Sequence, residues 1–164
     1  MTHAIVLAAL LALAPEEAAL AVAGDLPAAG TLKLSDLKSL GPVPVEWSAR
    51  GQQRRATGVP LDRILARAGF SPGAMGKDVP PKEKRSGWKK AVVATASDGF
   101  QAVFSCAELF PDMGPTRAFV VWEVEGKPVG PDEGPLRLVV TTDKEPARSV
   151  RQLVKLEVVD LRSR

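Results

Sequence analysis

Three arginines in the last third of the chain have the clearest chemistry in the sequence. Arg137 follows Gly134 and Pro135 at the start of an apolar strand, and Arg148 and Arg151 lie in the loop after that strand. Guanidinium groups that converge at the end of a strand can bind phosphate or another oxyanion through paired hydrogen bonds. The alternative is three separate surface arginines whose aliphatic stems cover apolar neighbours.

The chain offers few other groups for catalysis or metal binding. It contains one cysteine, Cys106, and one histidine, His3. One thiol cannot form an intrachain disulfide, and the two residues cannot supply the four ligands of a structural zinc site. Because His3 lies in a segment that we expect to be removed, the mature chain is predicted to lack a histidine general base. We therefore assign no catalytic residue and no metal ligand from the sequence.

Residues 1–18 are predicted to be a secretory leader, and the cleavage position is left open. Residues 4–14 form an uninterrupted run of small and apolar residues. This run is too short to span a bilayer, but it has the length of the hydrophobic segment of a signal peptide. The alternative is a buried first helix of a cytosolic protein. We expect a periplasmic or secreted protein with no membrane span after removal of the leader.

The length and composition of the chain indicate one globular domain, which we assign to residues 19–164. The chain has 164 residues, 45% of them hydrophobic, and a formal net charge of +3. Positive and negative residues are interspersed along the sequence, which argues against a nucleic-acid-binding tail or a polybasic membrane anchor. We expect no nucleic-acid partner.

Short strands separated by turns must position the arginines. An Asp98-Gly99 pair predicts a type I′ hairpin turn, in which both central residues need a positive φ. A short helix is predicted with Ser35 as its N-cap and Gly41 after its end, and a second begins at Pro60 and ends at Gly69. Strands are predicted over residues 19–23, 31–34, 43–47, 91–97, 100–104, 118–124, 128–129, 136–142 and 153–161. This pattern predicts an α+β fold, a single mixed-sheet or barrel-like domain with short helices.

Two further local patterns carry predictions about single residues. Ser105 and Glu108 have the spacing of a capping box, which places Cys106 in the first turn of a short helix. There the thiol is either a small buried residue or a reactive group with a lowered pKa. The last strand alternates so that Val154, Leu156 and Val158 are predicted to share one face.

The order of these motifs resembles the molybdopterin-binding domain of the sulfite oxidase-like oxidoreductases, over about residues 19–161. The motifs are Gly58-Val59-Pro60-Leu61, Ser97-Asp98-Gly99-Phe100, Glu125-Gly126-Lys127-Pro128, Gly134-Pro135-Leu136-Arg137, Arg148-Ser149-Val150-Arg151 and Leu156-Glu157-Val158-Val159-Asp160. The resemblance implies a mixed α+β fold that holds molybdenum through a pyranopterin with a phosphate tail and transfers oxygen atoms. It implies cofactor-binding roles for Arg137, Arg148, Ser149 and Arg151.

One departure from the family concerns the metal. The family's molybdenum-ligating cysteine belongs to a segment that corresponds here to residues 43–55, which contains no cysteine, and Cys106 lies downstream of it. Ser48 would be a poor replacement for a soft thiolate. We therefore expect that molybdopterin can bind but that no molybdenum is held.

Two functional hypotheses follow from this departure. The first is an exported molybdopterin-type oxidoreductase that works with a redox partner protein. The missing cysteine ligand leaves open whether such a protein catalyses a reaction. The second is a non-catalytic periplasmic binding or interaction module that has lost the molybdenum and binds an anionic small molecule. An electron-transfer or assembly subunit is a third alternative, although the sequence has no motif of its own for haem or iron–sulfur ligation.

Overall fold

A computed structural model describes residues 18–73, 80 and 86–163. The predicted leader, apart from Ala18, lies outside the described residues. The strands are β1 (Ala19–Gly24), β2 (Gly30–Lys33), β3 (Val43–Ala49), β4 (Gln52–Pro60), β5 (Lys90–Ala96), β6 (Gln101–Ser105), β7 (Ala118–Val124), β8 (Lys127–Pro128), β9 (Arg137–Val140) and β10 (Leu153–Asp160). The α-helices are α1 (Leu34–Ser39) and α2 (Leu61–Arg67), and 3₁₀ turns cover Ser86–Lys89, Ala107–Leu109, Pro146–Arg148 and Leu161–Ser163. No helix in these ranges is long and apolar enough to cross a membrane.

The strands of the described ranges form two five-stranded sheets. The first has the order β2-β1-β10-β5-β6, and its β1 and β10 are parallel neighbours while the other pairs are antiparallel. The second has the order β3-β4-β7-β8, and β9 also pairs with β7. The predicted fold class, α+β with mixed strands and short helices, is confirmed.

The main core joins both sheets and α2. Its largest members include Leu20, Leu61, Ile64, Leu65, Phe104, Leu138 and Leu156, all at most 1% exposed. A second, smaller cluster contains Val45, Trp47, Val121 and Val139 from the second sheet. Because alternate residues of β7 and β9 belong to different clusters, the second sheet is apolar on both faces.

Both helices lie in the predicted regions, but their first residues differ. The prediction that α2 begins at Pro60 is wrong by one residue, because Pro60 ends β4 and is the N-cap of a helix that begins at Leu61. The prediction that Ser35 caps α1 is wrong, because that helix begins at Leu34 and Lys33 is its cap residue. The Asp36 carboxylate accepts a hydrogen bond from the Lys33 backbone N–H at 2.8 Å, which satisfies a free donor at the helix start. Gly41 follows the helix with φ +70°, as the termination pattern predicts.

The β5–β6 hairpin is present, but its predicted type I′ turn is wrong. Gly99 has φ +89°, whereas Asp98 is not among the described residues with positive φ. The Gly99 N–H donates to the Ala96 carbonyl at 3.1 Å, and the Asp98 side chain accepts the Phe100 N–H. A side-chain bond of this kind lets aspartate stabilise the turn without adopting a positive φ.

A β-bulge changes the expected pattern of the last strand. The register of β10 on β5 shifts between Leu153 and Lys155. As a result Leu153 is 1% exposed and Val154 is 41% exposed, so the prediction that Val154 shares the buried face of Leu156 and Val158 is wrong. The bulge adds a residue to one strand, and the alternation of the sequence does not reveal that extra residue.

Candidate functional site

A cavity of about 250 Å³ lies between the β3–β4 hairpin and the segment that connects β8 to β10. We call it the arginine cavity. Its lining residues are Ala49, Arg50, Gln52, Arg54, Glu133, Arg137, Pro146, Ser149 and Arg151. Four of these nine side chains are arginines and one is a carboxylate. The cavity wall therefore carries a strong excess of positive charge.

The hairpin brings two of the arginines to the cavity. Ala49 pairs with Gln52, and the two residues between them, Arg50 and Gly51, have φ values of +52° and +76°. This is the geometry of a two-residue turn with both central residues at positive φ, and glycine adopts it at little cost. The tight turn places Arg50 at the rim, and Arg54 lies further along β4.

The carboxylate of Glu133 faces three of the guanidinium groups. Its Oε2 lies 2.6 Å from Nη1 of Arg137 and 3.5 Å from Nη1 of Arg54. Its Oε1 lies 3.7 Å from Nε of Arg151. One carboxylate therefore interacts with three guanidinium groups, so its negative charge does not neutralise their positive charges.

Arg137 is the most deeply buried of these arginines. It is 4% exposed, and its guanidinium carbon lies 5.7 Å from the ring centre of Trp47. Burial lowers the pKa of Arg137 below its usual range, against the opposing effect of Glu133. Its Nε and the indole Nε1 of Trp47 are buried and have no hydrogen-bond partner among the described residues. Buried donors of this kind are normally hydrogen-bonded, so these two atoms are exceptions among the buried polar atoms of the described residues.

Of the four residues predicted to bind a cofactor, Arg137, Ser149 and Arg151 line the arginine cavity together. Arg137 begins β9, whereas Ser149 and Arg151 flank Val150, which forms a β-bridge with Leu138 of the same strand. The bridge holds the loop against β9. It therefore explains how residues distant in sequence share one cavity.

Arg148 is not among the residues that line the cavity. Its Nε and Nη2 donate to the Asp143 carboxylate at 2.9 and 2.6 Å, and its Nη1 lies 3.3 Å from Glu108. The guanidinium also lies over the Phe104 ring at 4.9 Å. The hydrogen bond to Asp143 is the main reason that the pKa of Arg148 is raised. Arg148 thus ties the 143–149 loop to the 3₁₀ turn at residues 107–109.

Sequence reasoning missed Arg50, Gln52, Arg54 and Glu133 as lining residues. The adjacent Arg50 and Gly51 could have indicated a two-residue hairpin turn. Such a turn would have placed Gln52 and Arg54 on a strand antiparallel to β3. No sequence signal separates Glu133 from an ordinary turn carboxylate, because its partners come from three distant parts of the chain.

The residues that line the cavity fit an anion, and they include no cysteine and no histidine. Residues 43–55, the segment to which the resemblance assigns the family's cysteine, belong to the β3–β4 hairpin, which forms one wall of the arginine cavity. Ser48 is exposed on that hairpin and does not line the cavity. Within the described ranges, no group of three or more His, Cys, Asp or Glu residues is arranged to hold a metal ion.

A second depression, of about 480 Å³, adjoins the arginine cavity and shares Arg54, Glu133 and Arg151 with it. Its further lining includes Glu125 and Asp132. Asp132 is exposed and does not line the arginine cavity. Asp132 is therefore a carboxylate next to Glu133 in the same loop that does not belong to the wall of the arginine cavity.

Cys106 belongs to the main core and lies away from the cavity lining. It is 0% exposed, and burial raises the pKa of its thiol to about 12. Cys106 is the N-cap of the 3₁₀ turn at residues 107–109, so the prediction that Ser105 is the cap and Cys106 lies in the first turn is wrong. Only half of the capping box is present: the Glu108 carboxylate accepts the Ser105 N–H at 2.9 Å, but the cap residue makes no side-chain hydrogen bond to the turn. Of the two alternatives that the sequence left open, the structure shows Cys106 as a small buried residue and not as a thiol with a lowered pKa.

Cys106 is expected to resist alkylation in the native protein. Iodoacetamide reacts with thiolates, and at pH 8 a buried thiol with a pKa of about 12 is almost entirely protonated. Mass spectrometry should find less than about a tenth of the labelling rate of the same chain unfolded in guanidinium chloride. Equal rates in the two states would contradict the buried position of this thiol.

Comparisons with known proteins identify the family. The model of the family described as "Oxidoreductase molybdopterin binding domain" matches residues 8–164. Among solved structures, the sulfane dehydrogenase SoxCD from Paracoccus pantotrophus is similar, with a TM-score of 0.58 and 18% sequence identity over 92% of this chain and 40% of that chain. At this identity the likeness shows the fold, and this chain spans less than half the length of that one. A search of curated proteins gives no match. By the match to nearly its whole length, the chain belongs to the oxidoreductase molybdopterin-binding domain family.

Proposed function

We propose that this domain binds a phosphate-bearing anionic ligand, such as the phosphate tail of a pterin cofactor, in the arginine cavity. The observation that carries the proposal is the lining itself, which contains four arginines and only one carboxylate. Guanidinium groups bind phosphate oxygens through strong, charge-assisted hydrogen bonds. The family match supports a pterin as the bearer of that phosphate.

One arginine of the cavity is held in a fixed position, whereas two others are more exposed and can move to contact a ligand. The side chain of Arg137 is 5% exposed, and β9, Glu133 and Trp47 hold it in place. The side chains of Arg54 and Arg151 are 36% and 57% exposed, so they can close on a ligand that enters from solvent. A pre-positioned charge lowers the ordering cost of binding, because only the outer side chains have to become fixed.

We propose a binding role rather than molybdenum catalysis for the domain. The family's metal is held by a cysteine thiolate, and the corresponding segment, residues 43–55, has none. Cys106 cannot replace it, because this thiol is buried in the core and protonated. We also propose export to the periplasm, which the apolar run at residues 4–14 supports.

Binding of inorganic pyrophosphate, measured by calorimetry at fixed ionic strength, tests the proposal. Each of Arg54→Gln and Arg151→Gln is expected to weaken binding by about tenfold, since a hydrogen bond to a charged group contributes about 1.5–3 kcal/mol. Arg55→Gln is the matched control. Arg55 adjoins Arg54 on β4 but lies outside the cavity lining and pairs with Glu46. Absence of binding to the wild-type protein, or equal losses in all three variants, would overturn the proposal.

Metal and pterin analysis tests the proposal that the domain has a binding role and does not catalyse a reaction at molybdenum. Protein purified from a host that makes the cofactor is expected to contain far less than one molybdenum per chain by elemental analysis. Fluorescence of the oxidised pterin, measured on the same sample, reports the organic part of the cofactor independently. Stoichiometric molybdenum with pterin would contradict a binding role and favour the oxidoreductase alternative.

A further inference from the structure

Arg50 is one of three described residues other than glycine whose backbone has a positive φ. The other two are Glu125 and Gln152. The left-handed region is unfavourable for a residue with a side chain, because the Cβ comes too close to the following carbonyl oxygen. Such a conformation persists where other interactions compensate for it, and it is frequent at binding sites. We therefore look for a compensating contact at each of the three positions.

Glu125 and Gln152 both have such a contact within the chain. The Glu125 carboxylate accepts the Arg55 N–H at 2.8 Å. The side-chain amide of Gln152 donates to the Pro131 carbonyl at 3.2 Å, and its oxygen accepts the Ser97 hydroxyl. Glycine could make none of these bonds, which explains why a residue with a side chain occupies each position.

Arg50 makes no side-chain hydrogen bond or ion pair with any described residue. The comparison with Glu125 is close, because Arg50-Gly51 and Glu125-Gly126 both form two-residue turns whose first residue has φ +52°. Turns of this type prefer asparagine or glycine at the first position. An arginine is thus present where asparagine would cost less free energy, and no bond within the described chain compensates for it.

The charge of Arg50 is also not offset. Arg50 lines the arginine cavity, where Arg54, Arg137 and Arg151 share the carboxylate of Glu133. Among the lining arginines, only Arg50 has no carboxylate of the described residues within ion-pair distance. An anion that reaches Arg50 gains the attraction of this charge without weakening an existing ion pair.

We propose that Arg50 is an affinity-determining residue of the arginine cavity, retained at positive φ because its guanidinium pairs with the phosphate of the bound ligand. The inference rests on the proposed function and assigns to the ligand the contact that Arg50 lacks within the described chain. The cost of the positive φ is present with or without ligand. Arg50 therefore lowers the stability of the free protein while it raises the affinity, and its replacement should change the two properties in opposite directions.

Arg50→Asn tests both effects in one variant. It places asparagine before Gly51, the pair that such turns prefer, so we expect a melting temperature about 2–4 °C above that of the wild-type protein. Pyrophosphate binding, measured by calorimetry at fixed ionic strength, is expected to weaken by at least about tenfold, because a charge-assisted contact is lost. Arg50→Lys keeps the charge and the unfavourable φ, so it should retain more affinity than Arg50→Asn and show no rise in melting temperature.

Glu125→Asn is the matched control. It places the same residue before Gly126 in the second two-residue turn, but it removes the bond to the Arg55 N–H. We therefore expect no rise in melting temperature. Pyrophosphate binding should not weaken, because Glu125 does not line the arginine cavity.

The outcomes separate this inference from the function on which it rests. If the wild-type protein does not bind pyrophosphate, the proposed function itself fails. If Arg54→Gln and Arg151→Gln weaken binding but Arg50→Asn does not, the anion site stands and the role of Arg50 is wrong. Equal losses in Arg50→Lys and Arg50→Asn would also overturn the inference, because the charge would then not be the source of affinity. So would an Arg50→Asn variant that is no more stable than the wild-type protein, because the positive φ would then carry no cost.

Discussion

Glu133→Ala is expected to lower the free energy of unfolding by about 3 kcal/mol, the lower end of the range for breaking a buried ion pair. The substitution leaves the guanidinium of Arg137 buried without its partner, and this side chain is 5% exposed while that of Glu133 is 24% exposed. The partial exposure of the carboxylate is the reason for choosing the lower value. Urea unfolding followed by circular dichroism measures the effect.

A double-mutant cycle distinguishes a broken pair from a general loss of packing. Arg137→Met removes the stranded charge, so the double variant should lose about 1–2 kcal/mol less than the sum of the two single losses. Asp132→Ala serves as the control, because this exposed carboxylate lies one residue away and should change stability by less than about 0.5 kcal/mol. Additive losses would show that Glu133 and Arg137 do not stabilise each other.

Gly24→Ala is expected to destabilise the fold by about 3 kcal/mol or more, through backbone strain and a steric clash. Gly24 has φ +92° and pairs with Val158 across the parallel β1–β10 ladder. A Cβ at this position would lie 2.0 Å from the Val158 carbonyl oxygen, the same oxygen that accepts the Asp25 N–H. The strands would have to separate to accept a methyl group.

Gly30→Ala provides the matched control for this prediction. Gly30 lies on the neighbouring strand β2, its φ is not positive, and no atom lies within 4 Å of the added Cβ. Alanine there should be neutral or stabilising by up to about 1 kcal/mol, because it restricts the unfolded chain. Thermal unfolding of the two variants compares them directly. A Gly24→Ala variant as stable as Gly30→Ala would mean that β1 and β10 do not approach each other so closely.

The sequence predicts most strands because they bury one or both faces, but it does not predict β4. This strand begins Gln52-Gln53-Arg54-Arg55 and shows no apolar alternation. The reason is the cavity: Gln52 and Arg54 line it, while Gln53 and Arg55 are exposed. A strand that forms the wall of a polar cavity lacks the pattern on which strand prediction depends.

The arginine site was predictable in part. The sequence predicts Arg137 and Arg151 as site residues, because one begins a strand and the other lies in the loop after that strand. The sequence does not predict which group each arginine side chain pairs with, because that pairing depends on the packing of distant loops. Arg148 is three residues from Arg151, yet it pairs with Asp143 and Glu108 instead of lining the cavity.

The parallel pairing of β1 with β10 has a consequence for the order in which the protein can fold. β10 lies at the centre of the first sheet, between β1 and β5, so the sheet is divided until residues 153–160 are available. A ribosome must therefore synthesise nearly the whole described chain before the edge of β1 that faces β10 can be paired. Contacts at such a separation in sequence slow folding. The first sheet of the nascent domain thus stays incomplete until its last strand has emerged.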